Sequence, residues 1–369
     1  MQKSTGNKKV LVAMSGGVDS SLTAALLQSR GYEVEGITIT TIKIDTNCKT
    51  DYSESGCCSF TGVNDASDVC KILGIKHHVV DLTESFKENI IDNFVNEYLN
   101  GRTPNPCVIC NPKIKWGEML KKADSFDCYY FATGHYAKVV FNDTTERYYL
   151  SRSVDKFKDQ TYFLWNLSQE QLKRTILPLG EFSKSEVRQL AKKFRLPVYN
   201  KKESQEICFI PNNDYTDFIR RYYPEISKKY YGGNIIYKGE VIGKHRGYPF
   251  YTIGQRKGLG SHFNKPIYVK SINASANTVE VGLEEELYNE GLIASFCNIM
   301  KYENLPLDRD YTVKIRYKDY GSKASCTIEN NNQLKIKFFE NKRAITPGQS
   351  AVIYEGDDLV GGGIIESWF

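Results

Sequence analysis

Apolar positions in the first third of the chain follow two alternating periods. Val10–Met14, Val34–Ile42, His78–Leu82 and Tyr129–Thr133 are short runs rich in β-branched or aromatic residues and read as strands. Between them, Ser20–Ser29, Asn64–Leu73, Ser85–Leu99 and Ile114–Ala123 repeat apolar residues every three or four positions and read as helices. Strands alternating with helices imply a parallel sheet built from βαβ units. Ligands bind such sheets beyond the carboxyl ends of the strands, so the loops after Met14, Ile42 and Thr133 are expected to face one site.

Beyond that region the pattern changes. Tyr148–Leu167 reads as a strand pair or excursion, while Gln169–Ile176 and Ser185–Phe194 return to helical spacing before Pro197 stops it. A second stretch mixes one aromatic-rich helix with strands bounded by glycines from Gly232 to Gly258. The last stretch holds short alternating runs at Tyr311–Tyr317, Ala324–Ile328, Leu334–Phe339 and Ala351–Tyr354, the pattern of a closed barrel. The expected architecture is α/β in class. A Rossmann-like catalytic domain (1–211) with a parallel sheet is followed by a small α+β domain (212–286) and a C-terminal β-barrel (287–369).

Length supports several domains, since 369 residues exceed what one core usually encloses. No stretch approaches the roughly 18 apolar residues of a membrane helix. The opening carries Lys3, Lys8 and Lys9 without an apolar run of signal length, so a cytoplasmic protein with no membrane partner is expected. Lys and Arg (49) outnumber Asp and Glu (44), compatible with a nucleic-acid partner without requiring one. Ten cysteines without a secretion signal favour thiol chemistry or metal binding over a disulfide framework.

The first strand runs into Ser15-Gly16-Gly17-Val18-Asp19-Ser20-Ser21. Two glycines let backbone approach an anion, and the amides of the following helix start, at the positive end of its dipole, hold phosphate oxygens. A Walker Gly-Lys-Ser/Thr is missing, which excludes the usual γ-phosphate-transfer loop. Asn105-Pro106-Cys107-Val108-Ile109-Cys110 sets two thiols at Cys-x-x-Cys spacing near a helix start, where amides favour thiolate. Such a pair can also be half of a zinc site, although no second Cys-x-x-Cys or nearby His pair completes four ligands. Cys208, between Ile207 and Phe209, could equally be a small buried apolar residue.

The phosphate loop resembles the signature of the ATP-pyrophosphatase superfamily, whose members cleave ATP between the α and β phosphates to adenylate a substrate. Six further blocks sharpen the likeness: Thr103–Asn111, Ala132–Tyr136, Lys158–Phe163, Ser204–Ile210, Thr252–Gly260 and Thr346–Ser350. Together they are similar to the bacterial tRNA-specific 2-thiouridylase family, across nearly the whole chain. The resemblance implies ATP with Mg²⁺ as cofactors, and tRNA as partner through the wobble uridine of the anticodon. A sulfur-donor protein or cysteine desulfurase would be a second partner. It implies that Cys208 carries a persulfide and that Cys110 is the nucleophile that later attacks it.

By the same resemblance Ala13, Met14, Ser15, Gly16, Gly17, Val18, Asp19, Ser20, Ile39 and Gly134 line the nucleotide site. Many relatives carry Met where this chain has Ile39. Asn105, Pro106 and Cys107 match the segment that meets the flipped base, and some members carry Asp at the Cys107 position. With Cys110 and Cys208, Cys107 makes three thiols, the usual protein ligation of a sulfur-donating [4Fe–4S] cluster with one open iron. Cys48, Cys57 and Cys58 form an unexplained group in the loop after the second strand.

A base must be unstacked and flipped before its C2 is accessible, so a basic track is expected. The resemblance assigns tRNA contacts to His135, Lys158, Asp159, Gln160, Arg316, Tyr317 and Gln349. A basic, aromatic-rich patch of Lys244, His245, Arg246, Arg256 and Lys257 with Tyr248, Phe250 and Tyr251 is a further expected RNA surface. Rivals sharing the phosphate loop are amide synthetases, lysidine synthetases and 4-thiouridine synthases, none of which the phosphate loop alone excludes.

Overall fold

The computed structural model describes residues 8–41, 60–203, 207–259, 265–329 and 332–369. Cys48, Cys57 and Cys58 lie outside them, as do Ser204, Gln205 and Glu206.

Strands β1 (Lys9–Ala13), β2 (Glu33–Thr40), β3 (His77–Asp81) and β4 (Tyr130–Ala132) form the expected parallel sheet. Its order is β3-β2-β1-β4, with a fifth strand beyond β4. Side chains alternate between two cores. Val10, Val12, Tyr130 and Ala132 point to one cluster with Leu22, Val69 and Val187, whereas Leu11 and Phe131 point to the other with Phe94, Ile114 and Trp116. Both faces are covered, so the strands read as continuous apolar runs, and each buried Val, Leu or Phe contributes roughly 1.5–3 kcal/mol by leaving water.

The helices start earlier than their apolar pattern does. The one expected over Ser85–Leu99 runs over 83–99, with a widened π-type turn at Lys87–Ile91. The one expected from Ile114 begins at Pro106 and continues to Ser125 through a π-type stretch at Asn111–Glu118. Asn105 caps it by accepting a hydrogen bond from the Cys107 amide at 3.2 Å, and Pro106 fits the first turn because no amide is needed there.

Two expectations need correction. The Tyr148–Leu167 excursion is a hairpin placed earlier, β5 (Ala137–Asn142) and β6 (Arg147–Arg152), followed by a single helical turn at Thr161–Phe163. The helix expected over Gln169–Ile176 stops at Lys173, and Thr175–Ile176 is β7, the fifth strand, paired parallel with β4. Burial decides this: Thr175 accepts a hydrogen bond from the Trp116 indole at 2.6 Å, which a helical continuation would remove.

The next unit has a helix at Tyr215–Tyr222, capped by Asp214, and strands β8 (Asn234–Tyr237), β9 (Glu240–Lys244), β10 (Tyr268–Asn273) and β11 (Thr278–Gly282) in the order β10-β11-β8-β9. The last six strands are β12 (Tyr288–Ile299), β13 (Tyr311–Lys314), β14 (Ser322–Glu329), β15 (Gln333–Arg343), β16 (Ser350–Glu355) and β17 (Asp358–Trp368). Pairing of β12 with β17 closes them into a barrel around Leu292, Val313, Ile336 and Ile353.

The β5–β6 hairpin extends this barrel's sheet by pairing with β17, Leu150 opposite Leu359. Just after the hairpin, fully buried Trp165 donates its indole N–H to Ser350 Oγ at 3.0 Å, and Tyr162 donates to the Ser350 carbonyl at 3.0 Å. First domain and barrel therefore share hydrogen bonds and a packed seam.

Candidate active site

The phosphate loop leaves the carboxyl end of β1 and enters the Val18–Ser29 helix at Gly17, whose backbone is extended. No side chain caps that helix start. Ser20 holds the loop from inside: its hydroxyl accepts from the Ser15 amide at 3.2 Å and donates to the Gly17 carbonyl at 3.2 Å. Gly16 has φ +69°, and a Cβ there would lie 2.3 Å from the Gly62 carbonyl oxygen, so only glycine fits. Gly134, in the loop after β4, faces the same helix start; a Cβ on it would lie 2.9 Å from the Asp19 carbonyl carbon and the Ser20 nitrogen. Ile39, the last residue but one of β2, packs against the Leu11 side of the core. Ala13 and Met14 complete the strand's exit, where the Met14 carbonyl accepts from the Thr38 hydroxyl at 2.7 Å.

Asp19, on the first turn of that helix, is the hub of a charge cluster. Lys184 Nζ reaches its two carboxylate oxygens at 2.7 and 2.8 Å, and the Tyr136 phenol donates to Oδ1 at 2.8 Å. The same Lys184 ammonium lies 2.9 Å from Glu203, which also takes Lys158 at 2.6 Å. Burial pushes the Glu203 carboxyl up, but hydrogen bonds from Lys158 and Lys184 outweigh it and hold it below the usual carboxylate range. Burial, and then Asp19, push the Tyr136 phenol far up, so it stays a donor. Lys201 donates to the Gly16 carbonyl at 3.0 Å and pairs with Asp65. One signal was available: Lys184 opens the Lys184–Lys193 helix, where the macrodipole disfavours a cation.

Cys107 and Cys110 occupy the first turns of the helix capped by Asn105, with Cys110 9% exposed and Cys107 half-buried. The loop before them is gripped from two other domains. The Thr103 amide donates to the Pro347 carbonyl at 2.9 Å, and Gln349 Nε2 donates to the Thr103 carbonyl at 2.8 Å. Arg102 pairs with Glu97 at 2.7 Å and with Glu366 of the barrel, and Thr103 Oγ1 is 3.4 Å from Thr252 Oγ1. Cys208, half-buried, borders the same apolar cluster as Cys110. Its neighbour Phe209 anchors that segment among Phe86, Phe94 and Phe218 at ring distances of 5.2–5.7 Å. Further along the cysteine helix, Trp116 packs on His135 at 5.5 Å, so this helix lies against the loop that carries Gly134. Among the described residues no three Cys, His, Asp or Glu side chains stand together as a metal site.

Comparison with known proteins gives the same answer along the chain. Residues 8–212 match the model described as "tRNA methyl transferase HUP domain", 216–283 the "tRNA methyl transferase PRC-barrel domain" and 289–365 the "Aminomethyltransferase beta-barrel domain". The "tRNA-specific 2-thiouridylase MnmA" of Salinibacter ruber is 49% identical over 97% of this chain and 94% of its own. That of Carboxydothermus hydrogenoformans is 49% identical over 98% of both chains, and that of Clostridioides difficile 46% over 98% of both. The chain belongs to the tRNA-specific 2-thiouridylase family.

The residues expected to contact tRNA are variously placed. Lys158 is half-buried on Glu203, and Gln160 clamps Tyr136, accepting from its amide and donating its own amide to its carbonyl, both at 2.9 Å. His135 accepts from or donates to Thr133 Oγ1 at 2.7 Å through Nδ1; loss of solvent, and then Lys115, hold it well below its usual range and neutral. Arg316 donates to the Ala344 carbonyl at 2.7 Å, and the Tyr317 ring packs tilted against Phe163 at 4.5 Å. Gln349 holds the cysteine loop through the Thr103 carbonyl.

Asp159 departs from expectation. It is 7% exposed, with its carboxylate accepting from Thr161 at 2.7 Å and the Ser153 amide at 3.3 Å, so its side chain shapes the loop from inside. The expected aromatic RNA patch is also corrected. His245, Tyr248, Phe250 and Tyr251 are each at most 3% exposed and form core between the middle unit and the helix at 83–99, with the Tyr248 phenol donating to the Leu99 carbonyl at 2.5 Å. The polar tips of His245, Tyr248 and Tyr251 find internal partners, which is why a sequence cannot separate them from a wet surface.

Proposed function

We propose that this protein thiolates the C2 position of the wobble uridine in tRNA, consuming ATP. The observation that carries the reading is the joint placement of an anion-ready loop at the end of β1 and a cysteine-bearing helix packed on the Gly134 loop, within a chain 49% identical to named 2-thiouridylases.

The base oxygen attacks the α-phosphorus, pyrophosphate leaves, and O2 becomes part of an adenylate. The loop from Ala13 to Ser20, with Gly134 and Ile39, would cradle the nucleotide, and the Mg²⁺ that accompanies ATP would meet it near Asp19. Asn105, Pro106 and Cys107 would receive the flipped base. The outer sulfur of a Cys208 persulfide attacks C2 and expels AMP. The Cys110 thiolate then attacks the Cys208 sulfur, leaving sulfur on C2 and a Cys110–Cys208 disulfide that an external dithiol reduces for the next turnover.

The persulfide sulfur would come from a cysteine desulfurase or a carrier protein charged by one. Work on tRNA with reducible thiols suits the cytoplasm, and no helix among the described residues is long and apolar enough to cross a membrane. Among the described residues Cys107, Cys110 and Cys208 are not grouped as a metal site. Methyl transfer, which two family descriptions mention, needs neither pyrophosphate release nor paired thiols.

The test is mass spectrometry of nucleosides from unmodified tRNA incubated with the protein, ATP, Mg²⁺ and a persulfide source, alongside Cys208→Ser. Thiouridine at position 2 from wild type alone is the expected result. Its absence from both would overturn the reading, with 4-thiouridine or lysidine sought next.

A further inference from the structure

We infer that Lys184 is the pyrophosphate-binding cation of this active site, stored on Asp19 while the site is empty and transferred to the β- and γ-phosphate oxygens when ATP binds. The inference deepens the adenylation reading and rests on it for the identity of the leaving group.

The phosphate loop lacks a lysine of its own, so the charge of a departing pyrophosphate must be met from elsewhere. The fold brings two ammoniums there: Lys201, held by the Gly16 carbonyl at 3.0 Å and by Asp65, and Lys184, which comes from 165 residues away and stands on the helix-start carboxylate itself, at 2.7 and 2.8 Å from Asp19. Its side chain is only 12% exposed, and two devices fix it. Its backbone amide donates to Asp155 at 3.0 Å, and the Ser183–Glu186 capping box sets the helix it opens. Glu203 touches it at 2.9 Å from the other side and is itself neutralised by Lys158.

A lysine with two carboxylate partners could be a purely structural bridge. The arrangement favours transfer because Asp19 stands on the uncapped helix start where phosphate oxygens would sit, and it is a hard oxygen ligand for the Mg²⁺ of the substrate. Once the metal takes Asp19, the carboxylate's attraction for the ammonium falls, and the triphosphate offers oxygens of higher charge within the same reach. Glu203 keeps the side chain tethered during the exchange. When the α–β bond breaks and the bridging oxygen leaves with pyrophosphate, an ammonium there stabilises the developing charge.

The test uses the full chain and two probes. Calorimetric titration with inorganic pyrophosphate and Mg²⁺, and separately with AMP, is compared for wild type, Lys184→Met and Lys184→Arg. Lys184→Met is expected to weaken pyrophosphate binding about 10- to 100-fold, the range of a lost charged hydrogen bond, and leave AMP binding unchanged, with Lys184→Arg restoring part of the loss. In tRNA-dependent turnover the same variant should lose about 100-fold in kcat/KM for ATP with tRNA affinity retained. Unchanged pyrophosphate affinity overturns the proposal, and so does an equal loss for AMP and pyrophosphate that accompanies a lowered Tm. Wild type that binds pyrophosphate through Lys184 yet yields no thiouridine would leave this assignment standing and remove the thiolation reading instead.

Discussion

Gln349, in the barrel, donates its side-chain amide to the carbonyl of Thr103, four residues before the first cysteine of the Cys-x-x-Cys helix, at 2.8 Å. Beside it Gly348 has φ +89°, and a Cβ there would come within 2.9 Å of the same carbonyl oxygen. Barrel and cysteine loop are thus in backbone contact, and the domain farthest along the chain sets where the thiols stand. Gly348→Ala combines positive-φ strain with a clash and should destabilise the protein by about 1–3 kcal/mol. Gln349→Ala removes one hydrogen bond and should lower stability by about 1 kcal/mol or less while reducing thiolation more than ATP binding. Urea unfolding and single-turnover thiolation check both; equal stability of Gly348→Ala and wild type would mean that the loop and barrel separate freely.

Gly134 faces the helix start that is to hold phosphate. A methyl group there has backbone on its far side, at 2.9 Å, and no flexible side chain to displace. Gly134→Ala should therefore push Asp19 and Ser20 outward and raise the KM for ATP at least about tenfold, the effect of a displacement of order 1 Å in a positioned site. Initial rates at varied ATP measure this, and an unchanged KM would show that the helix start is not the phosphate site.

How much of this was legible in the sequence depends on the range of each interaction. β1 and β4 were readable because both of their faces are buried, and so were the glycines and prolines, whose backbone demands are local. β7 is only two residues long and owes its state to Trp116, 59 residues away. Asp19 was visible as a helix-start acid, but its partner Lys184 arrives by topology alone. The buried His245, Tyr248 and Tyr251 were misread as surface because amphipathic side chains carry the same code in both places. Asp159 was misread similarly: a family motif marks a segment as near RNA without telling which of its side chains face outward.

Acid stability should report the barrel's own ion cluster. Burial raises the Glu355 carboxyl, but hydrogen bonds from Lys301 at 2.5 Å, Tyr302 at 2.6 Å and Arg309 at 2.7 Å outweigh it and hold its pKa at about 2. A carboxylate depressed on folding stabilises above its unfolded pKa near 4.5, and that contribution is lost as pH falls through the folded value near 2. The depression corresponds to about 3 kcal/mol at neutral pH, an upper figure for a side chain that is 28% exposed. Glu355→Gln should unfold at lower urea at pH 7 and show a smaller loss of stability between pH 4.5 and 2. His135 adds a loss of the same sign at milder acidity: held neutral when folded, it takes up a proton only on unfolding as pH drops below about 6.5. His135→Asn should flatten that part of the profile.

The two cysteines should separate the half-reactions. Neither thiol belongs to the loop that would hold ATP: Cys110 lies on the helix capped by Asn105, and Cys208 sits beside the Phe86, Phe94 and Phe218 box. Cys110→Ser and Cys208→Ser should therefore keep tRNA-dependent pyrophosphate release in a single turnover, within about threefold of wild type, because adenylation forms no bond to sulfur. Thiouridine should fall by at least about 10³-fold in both, the loss expected when a covalent route is removed. Peptide mass spectrometry then distinguishes them. With a persulfide donor, the Cys110→Ser protein should carry an extra sulfur on the Cys208 peptide, and the Cys208→Ser protein should carry none there. An extra sulfur found instead on Cys110 would exchange the two roles, and loss of pyrophosphate release in either variant would mean that the thiols take part in binding the base before any sulfur moves.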